Sequence, residues 1–182
     1  MIAKQIAELI RNEINNLTAN WAGEIQKSEY MDHYTKLDKE ELFRRGEILY
    51  LNMVSWLEEG ASNVEIEGYF QGVGIERIKE GFSLTEINYA IYLLKVILID
   101  FLASNKELIS STDTATAFEM NAILNNYFDL GVFFVTRGYS QELFSRIEHT
   151  NKFSKDELKK IISKSALEEE DADSDEFIWR HV

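Results

Sequence analysis

Arg77 is the residue with the most chemical promise. It stands in the run Val73-Gly74-Ile75-Glu76-Arg77-Ile78-Lys79-Glu80-Gly81-Phe82, with apolar neighbours and glycines on both sides. A guanidinium presents a planar fork of donors that suits a carboxylate headgroup or a halide. At the mouth of an apolar pocket lined by Phe70, Phe82, Ile91 and Leu94, Arg77 would hold the head of a small ligand. The plainer alternative is a surface arginine that lays its stem over the core and pairs with Glu76 or Glu80. The four apolar residues are then simply core. The sequence leaves both readings open.

Other chemistries find less support. His33, His149 and His181 are the histidines, and none lies between residues 34 and 148. A globin-type proximal iron ligand would have to come from that stretch, so no haem is expected. Cysteine is absent, which removes disulfides and thiolate chemistry. There is no Gly-x-Ser-x-Gly, His-Glu-x-x-His or phosphate-loop signature, and no catalytic residue is assigned. Gly72-Val73-Gly74 begins a dinucleotide fingerprint, but Arg77 stands at its third position and no strand precedes it. Those glycines are expected to let helices approach closely. The pairs Glu40-Glu41 and Glu58-Glu59 fall at helix ends, where acids are usually solvated or capping. Asp171, Asp173 and Asp175 match three calcium-loop positions, but Glu176 replaces the glycine and Val182 the final glutamate. No metal or cofactor is expected.

The elements that would position Arg77 are helices. Proline is absent, which favours long uninterrupted helices. Ile2, Ile6, Leu9, Ile10, Ile14, Leu17, Trp21 and Ile25 recur in steps of three and four, so a first helix has one apolar face. Residues 28–37 break the pattern as a connector. Asp38 with Glu41 opens a second helix, with Leu42, Leu49, Met53, Trp56 and Leu57 inside and Gly60 as its stop. Ser62 with Glu65 opens a third, bearing Ile66, Tyr69, Phe70, Val73 and Ile78 and ending near Gly81. Ser83 with Glu86 opens a fourth, which reaches Ala103 and is apolar on most sides. Residues 105–112 read as a loop. A long helix then runs from Asp113 to His149 with Phe118, Leu124, Phe128, Phe134 and Val135 inward. Its Gly131 and Gly138 point to close packing or a bend. Ser154 with Glu157 caps a short last helix from Lys155 to about Ala166, before an acidic segment from Glu168.

This order resembles the N-terminal domain of RsbR-type stressosome proteins, also found ahead of some histidine kinases. The residues that carry the resemblance are Trp21, the helix from Asp38 to Gly60, the run Gly74–Leu84, and Asn125-Asn126-Tyr127-Phe128 leading into the last long helix. It covers roughly residues 1–150. It implies an all-α, globin-like bundle of about six helices with a long C-terminal helix, without haem, commonly dimeric and used as the input end of a signalling protein. In relatives a STAS or kinase output domain follows. This sequence ends without one, as a piece of a longer protein would, or a protein signalling to a separate partner. A few haem-free sensor globins hold a fatty-acid-like ligand.

Residues 1–153 are therefore expected to form the globin-like sensor domain, 154–167 a short helix and 168–182 a flexible acidic tail. The net charge of −13 disfavours nucleic acid and anionic membranes as partners. Neither a signal peptide nor a membrane span is evident, so a cytoplasmic location is expected. The apolar face of the first helix and surplus aromatics on the long helix, Phe133, Tyr139 and Phe144, point to a homodimer, the alternative being that they cover each other within one chain. The expected function is a non-catalytic bacterial signal-transduction module, a sensor or regulator, binding a small apolar or fatty-acid-like ligand. The alternative is a ligand-free interaction module that docks on stressosome or histidine-kinase components.

Overall fold

The computed structural model describes residues 2–59 and 63–149, with Glu157 beyond them. Every regular element among the described residues is a helix. In order they are α1 (Ile2–Lys27), a 3-10 turn (Tyr34–Lys36), α2 (Lys39–Glu59), α3 (Asn63–Lys79), α4 (Leu84–Ser104), α5 (Lys106–Ser111) and α6 (Thr114–His149). Met1–Ser140 form one compact unit, and α6 from Gln141 onward belongs to a second. The expected stop at Gly60, the cap at Ser62, the box begun by Ser154 and the acidic segment with Phe177-Ile178-Trp179 lie outside the described residues.

Local chemistry accounts for most helix ends. Asp38 Oδ1 accepts from the Glu41 N–H at 2.7 Å and starts α2. Gly81 has φ +91, which suits glycine at a helix stop. The Phe82 N–H then donates back to the Arg77 carbonyl at 3.0 Å, and the Gly81 N–H to that of Ile78 at 3.2 Å. Ser83 and Glu86 immediately open α4 with a reciprocal capping box. This tight α3–α4 corner fixes the direction in which Arg77, Glu80 and Phe82 point.

Two expectations need correction. Residues 105–112 are not a loop: they hold α5, capped by Asn105 Oδ1, which accepts from the Leu108 N–H at 2.9 Å. The serines and threonine that resembled a loop instead bond back to carbonyls of Glu107 and Leu108. Phe118 is 72% exposed, and α6 buries Met120, Leu124, Tyr127 and Phe128 at its start.

The core is built around α4. Trp21 of α1 is fully buried and its Nε1 donates to the Ala90 carbonyl at 2.9 Å. The Tyr50 hydroxyl of α2 donates to the Leu94 carbonyl at 3.2 Å. Buried indole and phenol groups need such acceptors, and here the α4 backbone supplies them. By length and composition α4 could cross a membrane, but its inner face is spent on α1 and α2.

α3 and α6 meet backbone to backbone. A Cβ on Gly74 would strike the main chain of Val135 and Tyr139, and one on Gly138 the main chain of Gln71. Gly131 accepts the face of Phe70, whose ring atoms come within 2.8 Å of where its Cβ would be. Close packing therefore explains Gly74, Gly131 and Gly138. It does not explain Gly72, which faces open space.

Candidate ligand-binding site

Arg77 lines a partly open cavity of about 150 Å³. Each surrounding helix contributes to the wall: Trp21 from α1, Arg45 from α2, Val73 and Arg77 from α3, Ile87 and Ile91 from α4, with Tyr34 from the 3-10 turn. The side chains of Arg45 and Arg77 are only 8% and 13% exposed. Charges buried to that degree must be paired, and a single oxygen does much of the pairing. Glu80 Oε2 accepts from Arg45 Nη1 at 2.8 Å and from Arg77 Nη1 at 3.0 Å. Arg45 Nε also donates to Glu41 Oε1 at 2.6 Å. Both guanidiniums lie over the Phe82 ring, 5.3 and 5.9 Å from its centre, within cation–π range.

The pairing is incomplete at one atom. Arg77 Nε is buried and has no acceptor. Beside it, burial pushes the Tyr34 hydroxyl above its ordinary range, against the opposite pull of Arg77. Glu41 is held down to about 2, first by its hydrogen bonds to Arg44 and against some burial, then by those to Arg45. Arg44 and Arg45 thus pair with Glu41, and Arg45 and Arg77 with Glu80, while Glu76 adds a third acidic side chain on the wall. The rim is balanced while a buried donor remains unspent.

The approach from α1 is fixed by Glu86. This 5% exposed carboxylate accepts the His33 N–H at 2.7 Å and lies 2.9 Å from His33 Nδ1, besides capping α4 through Ser83. Burial works to raise its pKa, but hydrogen bonds from His33 and Ser83 prevail and hold the carboxyl below its usual range. The connector is thereby pinned so that Tyr34 packs edge-on to Phe82, 4.6 Å between ring centres.

Of the residues expected at the site, Arg77 and Ile91 are on the cavity wall, and Phe82 is the platform under the guanidiniums. Phe70 and Leu94 are buried in the core and are not among the residues that line this cavity. Phe70 is committed to Gly131 and Tyr127, and the Leu94 carbonyl to Tyr50. Sequence reasoning missed Arg45, yet a signal exists. Arg45 falls in step with the apolar stripe Leu42, Leu49, Met53 and Trp56, and a charge on such a stripe must be buried with partners.

A second cleft, of about 200 Å³, lies between α2 and α3. Tyr69 contributes to the walls of both. A wider open groove between α1 and α5 is lined by residues such as Gln5, Asn12 and Ser111, none of which carries a buried unpaired group. Among the described residues no group of three or more His, Asp or Glu is placed to hold a metal ion. His149 is exposed near the end of α6, its Nδ1 2.6 Å from the Ser145 carbonyl. Compared with protein families, with curated proteins and with solved structures, the chain finds no match.

Proposed function

We propose that this chain is a non-catalytic sensor or regulatory module of the globin-like kind, acting as a cytoplasmic homodimer, whose signal is a small molecule with an anionic head. The observation that carries the reading is the buried, acceptor-free Arg77 Nε on the wall of a partly open cavity. An unpaired buried donor costs about 1–3 kcal/mol, which a ligand oxygen would recover. The remaining walls, Trp21, Ile87, Ala90 and Ile91, suit an apolar body. A cavity near 150 Å³ accommodates a molecule about the size of benzene. Short carboxylates fit that space, whereas a long acyl chain would need a wider cavity.

A ligand signals only by binding two arrangements with different affinity. The α3–α4 corner is the element to be biased, because Glu80 lies in it and holds both arginines. The Tyr139 hydroxyl of α6 donates to the Phe82 carbonyl in that corner at 3.1 Å. A shift of the corner is thereby passed to the long helix, the output element that the stressosome resemblance implies.

Titration calorimetry with benzoate, butyrate and octanoate tests this. Benzoate and butyrate are expected to bind, and Arg77→Met to weaken them by about tenfold, the weight of a charged hydrogen bond. No heat from any of the three at millimolar concentration would overturn the ligand reading. A second reading would then stand, a docking module for stressosome or histidine-kinase components. Tyr92, Phe118 and Phe133, each more than half exposed, favour a protein partner or a second copy.

A further inference from the structure

The cleft between α2 and α3 has a chemistry of its own. Trp56 is 4% exposed, yet its indole N–H has no acceptor. The other polar tips around it are partly spent. Tyr127 donates to the Leu49 carbonyl at 3.3 Å, Asn52 Nδ2 to the Ile48 carbonyl at 2.9 Å, and the Ser55 hydroxyl to Glu59 Oε1 at 3.1 Å. None of these bonds uses Asn52 Oδ1 or the second oxygen of Glu59, both of them acceptors. The walls are electron-rich rings, with Trp56 and Tyr127 tilted against each other 5.2 Å apart and Tyr69 beside them. Among the described residues no arginine, lysine or histidine lines the cleft.

Two features of this set point to different parts of one ligand. Aromatic faces with a carboxylate attract a cationic nitrogen. The orphan indole N–H needs an uncharged oxygen, because a buried donor left unpaired is costly. We infer that the cleft binds a small organic cation carrying a hydroxyl or carbonyl oxygen, of the amino-alcohol class. Its nitrogen sits against the rings and Glu59, and its oxygen accepts from Trp56 Nε1. At about 200 Å³ the cleft exceeds the space that holds a benzene ring, so a molecule of choline's size fits. The site does not depend on the arginine cavity, which requires the opposite charge.

The test uses the full chain and three probes: choline, ethanolamine and tetramethylammonium, the last of which has no oxygen. Choline and ethanolamine are expected to bind and to move the Trp56 indole N–H resonance downfield in proton NMR, that resonance being assigned by its loss in Trp56→Phe. Tetramethylammonium should bind about fivefold more weakly than choline, the difference one hydrogen bond makes. Trp56→Phe keeps a ring and should erase that difference. Glu59→Gln, on an exposed side chain that leaves the fold intact, should weaken all three. The inference is overturned if choline leaves the resonance unmoved at high millimolar concentration. It is equally overturned if Glu59→Gln binds choline as the unaltered chain does.

Discussion

The arginine cavity and the tryptophan cleft share Tyr69 as a wall, and each contains one buried donor without an acceptor. Their electrostatics are opposed. In the first, two buried guanidiniums converge on Glu80 Oε2, and the unspent atom belongs to a cation. In the second, no basic side chain is present among the described residues and the unspent atom is a neutral N–H. The change occurs along one helix. Arg45 and Asn52 of α2 are two turns apart, about 10 Å. α2 and α3 line both, so the contrast in charge follows from which residue interrupts the apolar stripe of α2, Arg45 in one and Asn52 in the other.

The largest expected effect removes both sites together. Gly74→Ala would drive a methyl group into the main chain of Val135 and Tyr139. Backbone cannot rotate away as a side chain can, so we expect a loss of about 3 kcal/mol or more. Thermal denaturation should show it, with benzoate and choline binding lost in parallel because Tyr69 rides on α3. Gly72→Ala, facing open space, is the control and should be neutral or stabilising by about 0.5–1 kcal/mol. A Gly74→Ala protein that melts with the unaltered chain would disprove the backbone contact.

A smaller effect separates the two sites. Glu80 occupies the arginine donors that a ligand carboxylate would use, so it acts as an internal competitor. Glu80→Gln should raise benzoate affinity by about fivefold, the weight of a modest hydrogen-bond difference, and leave choline unchanged. Weaker benzoate binding in this variant would make Glu80 a supporting wall, and its role as competitor would fall.

Much of this comparison was readable in the sequence, but unevenly. The α3–α4 corner was legible because Gly81 and the Ser83–Glu86 pair act locally, through bonds spanning a few residues. Arg77 was legible for its apolar company. Arg45 left a signal in its place on the apolar stripe of α2, but its partner Glu80 did not, because that residue follows α3 and meets Arg45 only in the folded chain. Phe70 was assigned to a pocket because its contact with Gly131 is tertiary. α5 was missed since Leu108 is its only buried residue, too few for a periodic signal. The tryptophan cleft was wholly illegible: nothing in the spacing of Trp56, Glu59 and Tyr69 shows that an indole N–H lacks an acceptor.

The smallest effect concerns pH and belongs to the arginine cavity alone. Glu41 has its carboxyl lowered from 4.5 to about 2, by Arg44 first and then Arg45. A carboxylate depressed in the folded state adds stability above its unfolded value and loses it as pH falls through the folded one. The contribution is therefore full above pH 4.5 and fades towards pH 2. Its side chain is 26% exposed, and solvent screening keeps the gain to about 1 kcal/mol or less. Glu41→Gln should be less stable than the unaltered chain near neutral pH in urea titrations, and the gap should close on acidification. Because Glu41 also tethers Arg45, the same variant should loosen benzoate binding slightly at neutral pH while choline binding stays constant. A gap in stability that persists unchanged to the acid limit would mean that Glu41 acts by packing, and the charge balance drawn for the arginine cavity would have to be redrawn without it.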